Sequence, residues 1–219
     1  MVKYLLFDLD GTLTNPKEGI TRCFQYALEY FGLPVTPADE LEWIIGPPLV
    51  DSFMQGYGFS AEKAELGTKK YRERFTDVGW KENEVYPGID TALKMLKEAG
   101  FLLSVATSKP ENMAERILEY FGLAQYFDVI GGASLDMSRS RKADVLRYTL
   151  ERLKVQDTRE VLMIGDRKYD VEGAKEFGIP CLGVLYGYGS REELMEAGAA
   201  AVAESVEELT EKCLAWNRK

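Results

Sequence analysis

The stretch Tyr4-Leu5-Leu6-Phe7-Asp8-Leu9-Asp10-Gly11-Thr12-Leu13 decides how the rest of the chain is read. It opens on a short apolar run of the kind a buried strand needs and then sets two carboxylates at the strand's end. Side chains two apart in an extended chain share a face, so Asp8 and Asp10 point one way while Leu9 points back toward a core. Two like charges buried this close raise at least one pKa or require a cation, which suits chemistry better than stability. An Asp-Gly turn accounts for Gly11 but not for Asp8. A calcium loop of the EF-hand kind also begins Asp-x-Asp, yet Thr12 and Gly19 stand where it needs a further ligand and a Glu.

The chain as a whole narrows the chemistry. Its 219 residues, 46% hydrophobic and 29% charged, suffice for one large domain and a smaller one. A net charge of −9 argues against binding a nucleic acid polymer or an anionic membrane surface, so any phosphate site has to be locally positive. The apolar run ends at Asp8, too short for a signal peptide or a membrane span, and the expected location is the cytoplasm. Cys23, Cys181 and Cys213 lie far apart without metal or redox spacing. There is no histidine, which removes Ser-His and Cys-His nucleophile pairs and His-ligated zinc. Carboxylates, lysines, hydroxyls and a hard cation are left to do the work.

Residues 15–86 read as helices separated by Gly and Pro. Ile20, Phe24, Ala27, Leu28 and Phe31 fall at helical spacing before Gly32, Thr36-Pro37 starts a second helix, and Ser60 caps a third running to about Phe75. Lys69, Lys70, Arg72, Glu73 and Arg74 read as that helix's solvated face. From Pro87 onward helices alternate with short apolar strands at 101–106, 129–130, 161–164, 180–184 and 201–203, the signature of an α/β fold with a parallel sheet. Polar residues at the carboxyl ends of such strands converge on one rim. Three ends carry them: Asp8 with Asp10, Thr107 with Ser108, and Asp166 with Asp170 four residues on.

Carboxylates from two strands with no His or Cys beside them suit magnesium, and Asp8, Asp166 and Asp170 fit that role. A carboxylate can also attack phosphorus, with Asp8 as the expected nucleophile and Asp10 as the acid and base. Thr107, Ser108 and Lys142 are available to hold phosphate. Singly, each is ordinary: Thr107 ends a strand, Lys142 belongs to a basic run, and Asp170 is an acid at a helix start. Their combination carries the argument.

In that combination the chain resembles the haloacid dehalogenase superfamily. Phe7-Asp8-Leu9-Asp10-Gly11-Thr12-Leu13 is similar to its first motif, Thr107 to its second, Lys142 to its third, and Gly165-Asp166-Arg167-Lys168-Tyr169-Asp170 to its fourth. The resemblance implies a Rossmann-like core over residues 1–14 and 87–219, and a small α-helical cap over 15–86 hinged near 14–18 and 83–88. It further implies Asp8 as nucleophile, Asp10 as acid–base with its backbone carbonyl on Mg2+, Thr107 and Lys142 on phosphate, and Asp166 as metal ligand. Asp170 would reach the metal through water or orient Lys142. Among capped members the chain most resembles the phosphoglycolate phosphatase-like group, which includes proteins described as 5′-nucleotidases. It departs from that group in having Asn15 where Asp is frequent and Lys142-Ala143 where Lys-Pro is usual.

The expected function is a Mg2+-dependent phosphatase for a small phosphorylated metabolite. A phosphomutase, or a regulatory or binding protein on the same fold, is the alternative. Dehalogenation is disfavoured because, in family terms, it does without the second aspartate. Lys17, Arg22 and the Gly46-Pro47-Pro48-Leu49 loop are candidate substrate contacts in the cap, and Lys109 is another after the second motif. Oligomeric state is not assigned.

Overall fold

The apolar run at the start of the chain forms β1 (Tyr4–Phe7) in the computed structural model, which describes residues 1–136 and 138–218. The chain divides into two units, Met1–Thr14 with Val85–Lys219, and Asn15–Glu84. Two short strands absent from the sequence reading, β2 (Thr14–Asn15) and β3 (Glu84–Val85), pair as a separate two-stranded sheet.

The Asn15–Glu84 unit is helical. In α1 (Lys17–Tyr30) the buried side is Ile20, Phe24, Ala27 and Leu28, as their spacing predicts. The helix expected from Thr36 is instead a 3-10 turn over Ala38–Ile44, because the Thr36 hydroxyl pairs with the Tyr57 hydroxyl at 2.9 Å rather than capping. After Pro48 come α2 (Leu49–Tyr57) and α3 (Ala61–Asp77), and Ser60 caps α3 by accepting from the Lys63 backbone N–H. The unit's core is aromatic: Phe24 stacks on Phe53 at 4.2 Å, and Phe59 continues the stack at 5.6 Å. The basic run on α3 is not uniformly solvated. Arg74 turns inward to hold Glu82 through two hydrogen bonds of 2.6 and 2.9 Å.

The other unit alternates helix and strand. Following α4 (Ile89–Glu98) come β4 (Leu102–Pro110), α5 (Glu111–Tyr120), β5 (Val129–Ala133), α6 (Lys142–Arg152), β6 (Val161–Gly165), α7 (Lys168–Lys175), β7 (Cys181–Val184), α8 (Arg191–Ala197), β8 (Ala201–Ala203) and α9 (Val206–Ala215). The strands form one sheet in the order β5-β4-β1-β6-β7-β8, every neighbour parallel. This is the expected Rossmann-like α/β core.

Packing follows the strand alternation. Leu6, Val161 and Met163 face a core filled by Val145 and Leu146 of α6, Val171 and Ala174 of α7, and Leu194 of α8. Each such aliphatic side chain, once fully buried, stabilises the fold by about 1.5–3 kcal/mol. The strand expected to end at Ala106 continues to Pro110, with its register against β5 shifting between Ala106 and Pro110. Thr107 and Ser108 therefore lie on the strand rather than beyond it. Among the described residues no helix is long and apolar enough to cross a membrane.

Candidate active site

Register sets the site. Phe7 is level with Val105 on one neighbouring strand and Ile164 on the other, so Asp8 follows β1 where Ala106 and Gly165 follow theirs. The strand order changes direction at β1, and a parallel sheet opens its ligand crevice at the carboxyl ends beside such a point. Leu9 is fully buried, as the alternation requires. Gly11 then turns the chain at φ +80°, and a Cβ there would stand 2.1 Å from Asp166 Oδ2, so only glycine fits. The turn is closed by the Leu13 and Thr14 N–H groups, which donate to the Leu9 carbonyl at 2.9 and 3.1 Å.

Asp8, Asp166 and Asp170 are all buried and each offers an oxygen within 4.8 Å of the others. Lys142 is threaded among them. Its ammonium lies 3.0 Å from Asp8 Oδ1 and 2.8 Å from Asp170 Oδ1, and it donates to the Ala106 carbonyl at 2.9 Å. Asp8 Oδ1 also accepts from the Leu9 N–H at 2.8 Å. Asp166 accepts from the Thr12 hydroxyl and from the Tyr188 N–H, at 3.3 and 2.9 Å. Asp170 accepts from the Arg167 N–H at the start of α7. Asp10 joins the cluster through Lys109, whose ammonium is 2.5 Å from Asp10 Oδ2.

Thr107 is buried, and its hydroxyl accepts from the Lys109 N–H at 3.3 Å. Ser108 is half-buried, and no hydrogen bond or ion pair ties its side chain to the aspartates among the described residues. The structure thus brings together Asp8, Asp10, Asp166, Asp170 and Lys142, with Thr107 linked through Lys109 and Ser108 apart.

Electrostatics mark the cluster as unfinished. Burial, reinforced by Asp170 and Asp8, pushes the Asp166 carboxyl far above the usual carboxylate range. Burial also raises Asp10 against the pull of Lys109, and raises Asp170 to about 6 against the pull of Lys142. Lys142 is itself held above its ordinary value: burial opposes its charge, but Asp170 and Asp8 outweigh that. Four carboxyl groups share two ammonium groups: Lys142 contacts Asp8 and Asp170, Lys109 contacts Asp10, and Asp166 has no ammonium against it among the described residues. Carboxylate oxygens this close together, with more acids than ammonium groups, fit a divalent cation such as magnesium.

Lys109, named in the sequence as a candidate substrate contact, has its ammonium against Asp10. The Tyr186-Gly187-Tyr188-Gly189 segment after β7 also builds the site, with the Tyr186 hydroxyl donating to the Thr12 carbonyl at 3.0 Å and the Tyr188 N–H reaching Asp166. Its signal was available, since it follows another parallel strand's carboxyl end on the same rim.

Of the candidate substrate contacts in residues 15–86, Lys17 pairs with Asp39 and Glu42, and Arg22 with Glu18 and Glu82, all within the helical unit. Gly46 to Leu49 leads into α2, with Pro48 just before the helix.

Residues 5–184 match the family described as haloacid dehalogenase-like hydrolase. The chain belongs to that family. A 5′-nucleotidase of Pseudomonas aeruginosa is 45% identical over 190 residues, covering 87% of this chain and 86% of the relative. The tyrosine-protein kinase PtkA of Mycobacterium tuberculosis is 41% identical over 210 residues, covering 94% of this chain and 71% of the relative. The crystal structure of a predicted phosphatase from Clostridium acetobutylicum superposes with a TM-score of 0.95 at 48% identity, covering 98% of this chain and 99% of the other. Within the haloacid dehalogenase-like hydrolases, the chain is an enzyme of the phosphatase type.

Proposed function

We propose that the protein is a magnesium-dependent phosphatase that hydrolyses a small phosphomonoester, of the nucleoside 5′-monophosphate or phosphoglycolate kind, through an aspartyl phosphate. The observation that carries this reading is the buried cluster in which Lys142 bridges Asp8 and Asp170 beside Asp166, at the carboxyl ends of parallel strands. The name of the 5′-nucleotidase relative supports the nucleotide member of that pair.

An Asp8 oxygen attacks phosphorus and forms the Asp8–phosphorus bond as the bond to the leaving oxygen breaks. Asp10 gives that oxygen its proton, a task suited to a carboxyl whose pKa burial raises. Asp10 then takes a proton from water, the water oxygen attacks phosphorus, and the Asp8–phosphorus bond breaks to release phosphate. Lys142 and Thr107 hold the phosphoryl oxygens, with Ser108 in a lesser part. Asp8, the Asp10 backbone carbonyl, Asp166 and Asp170 would hold Mg2+, which offsets the repulsion between carboxylates and an anionic substrate. The Asn15–Glu84 unit acts as the cap that reads the substrate. Buried thiols at Cys23, Cys181 and Cys213 suit a cytoplasmic setting.

A second reading rests on the PtkA relative: the phosphoryl group passes to a protein tyrosyl hydroxyl rather than to water. One assay separates the two. Phosphate release is measured across nucleoside 5′-monophosphates, 2-phosphoglycolate, sugar phosphates and pyrophosphate, with magnesium or chelator, beside Asp8→Asn. The proposal expects metal-dependent release of phosphate from a phosphomonoester and its loss in Asp8→Asn. Turnover retained by that variant sinks the nucleophile, and phosphotyrosine formed from ATP without free phosphate favours the second reading.

A further inference from the structure

The cluster holds two lysines, which between them contact three of its four carboxylates. Lys142 is committed to Asp8, Asp170 and the Ala106 carbonyl. Lys109 stands near the end of β4, within the stretch where the register shifts, with its backbone N–H on the Thr107 hydroxyl. Its side chain is only 5% exposed and its ammonium lies 2.5 Å from Asp10 Oδ2. Asp10 Oδ1 is buried and accepts no hydrogen bond among the described residues. The two oxygens of one carboxyl group therefore differ: one is gripped by a cation and the other is left open.

We infer that Lys109 is the positioning residue for Asp10, holding Oδ2 so that Oδ1 is the oxygen that exchanges the proton. The inference deepens the proposed function and rests on Asp10 being its acid and base. An ammonium N–H directed at Oδ2 occupies the place a proton would take on that oxygen, so in the acid form the proton sits on Oδ1. When the ester bond to phosphorus breaks, that proton passes to the leaving oxygen. The electron pair of the old O–H bond stays on the Asp10 carboxylate, whose new charge faces Lys109. In the second half Oδ1 takes a proton from water. Lys109 keeps its own protons throughout and needs no contact with substrate.

The leaving group provides the test. An alkyl alcohol needs a proton as it departs, whereas p-nitrophenolate barely does. The quantity measured is kcat/KM with saturating magnesium for p-nitrophenyl phosphate and a series of phenyl and alkyl phosphates, on Lys109→Met, Lys109→Gln, Lys109→Arg and Asp10→Asn. Each protein is compared with itself across the series, so a reduced folded fraction cancels.

Lys109→Met is expected to lose about 10²- to 10³-fold on alkyl esters and less than about tenfold on p-nitrophenyl phosphate. Asp10→Asn should show the same slope, the double variant should be no worse than Asp10→Asn alone, and Lys109→Arg should recover part of the alkyl activity. Lys109→Gln, closer in size and polarity, reads the same slope where Lys109→Met does not fold. A loss uniform across the series, or one confined to KM, with Asp10→Asn still steep, overturns the role of Lys109 and leaves the acid–base reading standing. A flat series in Asp10→Asn itself overturns both.

Discussion

Lys142 in the sheet unit and Lys17 in the helical unit are each clamped by two carboxylates, at 2.8 and 3.0 Å in one case and 2.5 and 2.6 Å in the other. Distance alone ranks Lys17 first. Burial reverses the order: Lys142, Asp8 and Asp170 are 5%, 11% and 0% exposed, against 30%, 88% and 46% for Lys17, Asp39 and Glu42. In water the attraction is screened and two long side chains must be ordered to keep it, so such a pair contributes little. In the interior the ions have lost their hydration and depend on one another, so removing one strands the rest. Geometry locates an ion pair, and the medium decides whether it matters.

The largest expected effect breaks the buried clamp. Lys142→Met leaves Asp8 and Asp170 without their cation and should lower the unfolding free energy by about 3–5 kcal/mol, read by urea denaturation at pH 8 in chelator. Phosphate release should fall by about 10³-fold or more, since the same ammonium holds the proposed nucleophile and phosphate. A variant as stable as the parent would mean that water already screens the cluster, and the contrast with Lys17 would vanish.

The next effect comes from carboxyls whose burial outweighs any cation beside them. Asp166 and Asp170 both have raised carboxyl pKa values in the fold, Asp170 at about 6 instead of 3.8, and burial is the main cause for each. A carboxyl raised on folding binds more protons folded than unfolded, so stability falls as pH rises. The contribution of Asp170 is complete below about pH 4 and is lost as pH rises to and beyond 6. In chelator, Asp166→Asn should therefore melt above the parent at pH 8, with the advantage shrinking toward pH 4. Magnesium should raise the melting temperature of the parent and leave that of Asp166→Asn where it was. Parallel melting profiles for the two proteins would remove the case for surplus negative charge.

The same contrast explains what could be read in advance. The sheet unit announces itself because buried parallel strands must be apolar, so a charge at a strand end has no quiet explanation. Asp8, Asp10, Asp166 and Asp170 stood out on that ground, and the strand register brings them to one rim. Lys109 stood out only as a candidate substrate contact, because a lysine there looks the same in sequence whether it meets water, substrate or Asp10. The Tyr186–Gly189 turn was missed although it follows a parallel strand's carboxyl end, because its contact with Asp166 comes from a backbone N–H, which a residue of almost any type can supply. In the helical unit the aromatic core was legible at helical spacing, while Thr36 was misread because its hydroxyl partner, Tyr57, is far along the chain.

A smaller effect probes that glycine turn. A Cβ on Gly187 would lie 2.4 Å from both Asp166 Cβ and the Gly11 carbonyl, so neither neighbour is a flexible tip that can swing aside. Gly187→Ala should destabilise the protein by about 1–3 kcal/mol. Because the displaced atoms belong to Asp166 and to the turn beside it, the shift in melting temperature on adding magnesium should shrink as well. Ordinary stability with a full magnesium response would show that the turn relaxes without moving Asp166.

The smallest effect is the other half of the opening contrast. Lys17→Met removes two ion pairs at once, at distances as short as any in the buried cluster, yet it leaves Asp39 and Glu42 able to take water in place of the ammonium. The raised pKa of Lys17 comes from hydrogen bonds to those same two acids, which keep it charged without making the fold depend on it. The urea midpoint should stay where it was at low salt, and adding salt should change parent and variant alike, because the interaction being screened was already weak. A clear drop in the midpoint at low salt that disappears at high salt would show the Lys17 pairs contributing in water, and exposure would then be a poorer guide than distance.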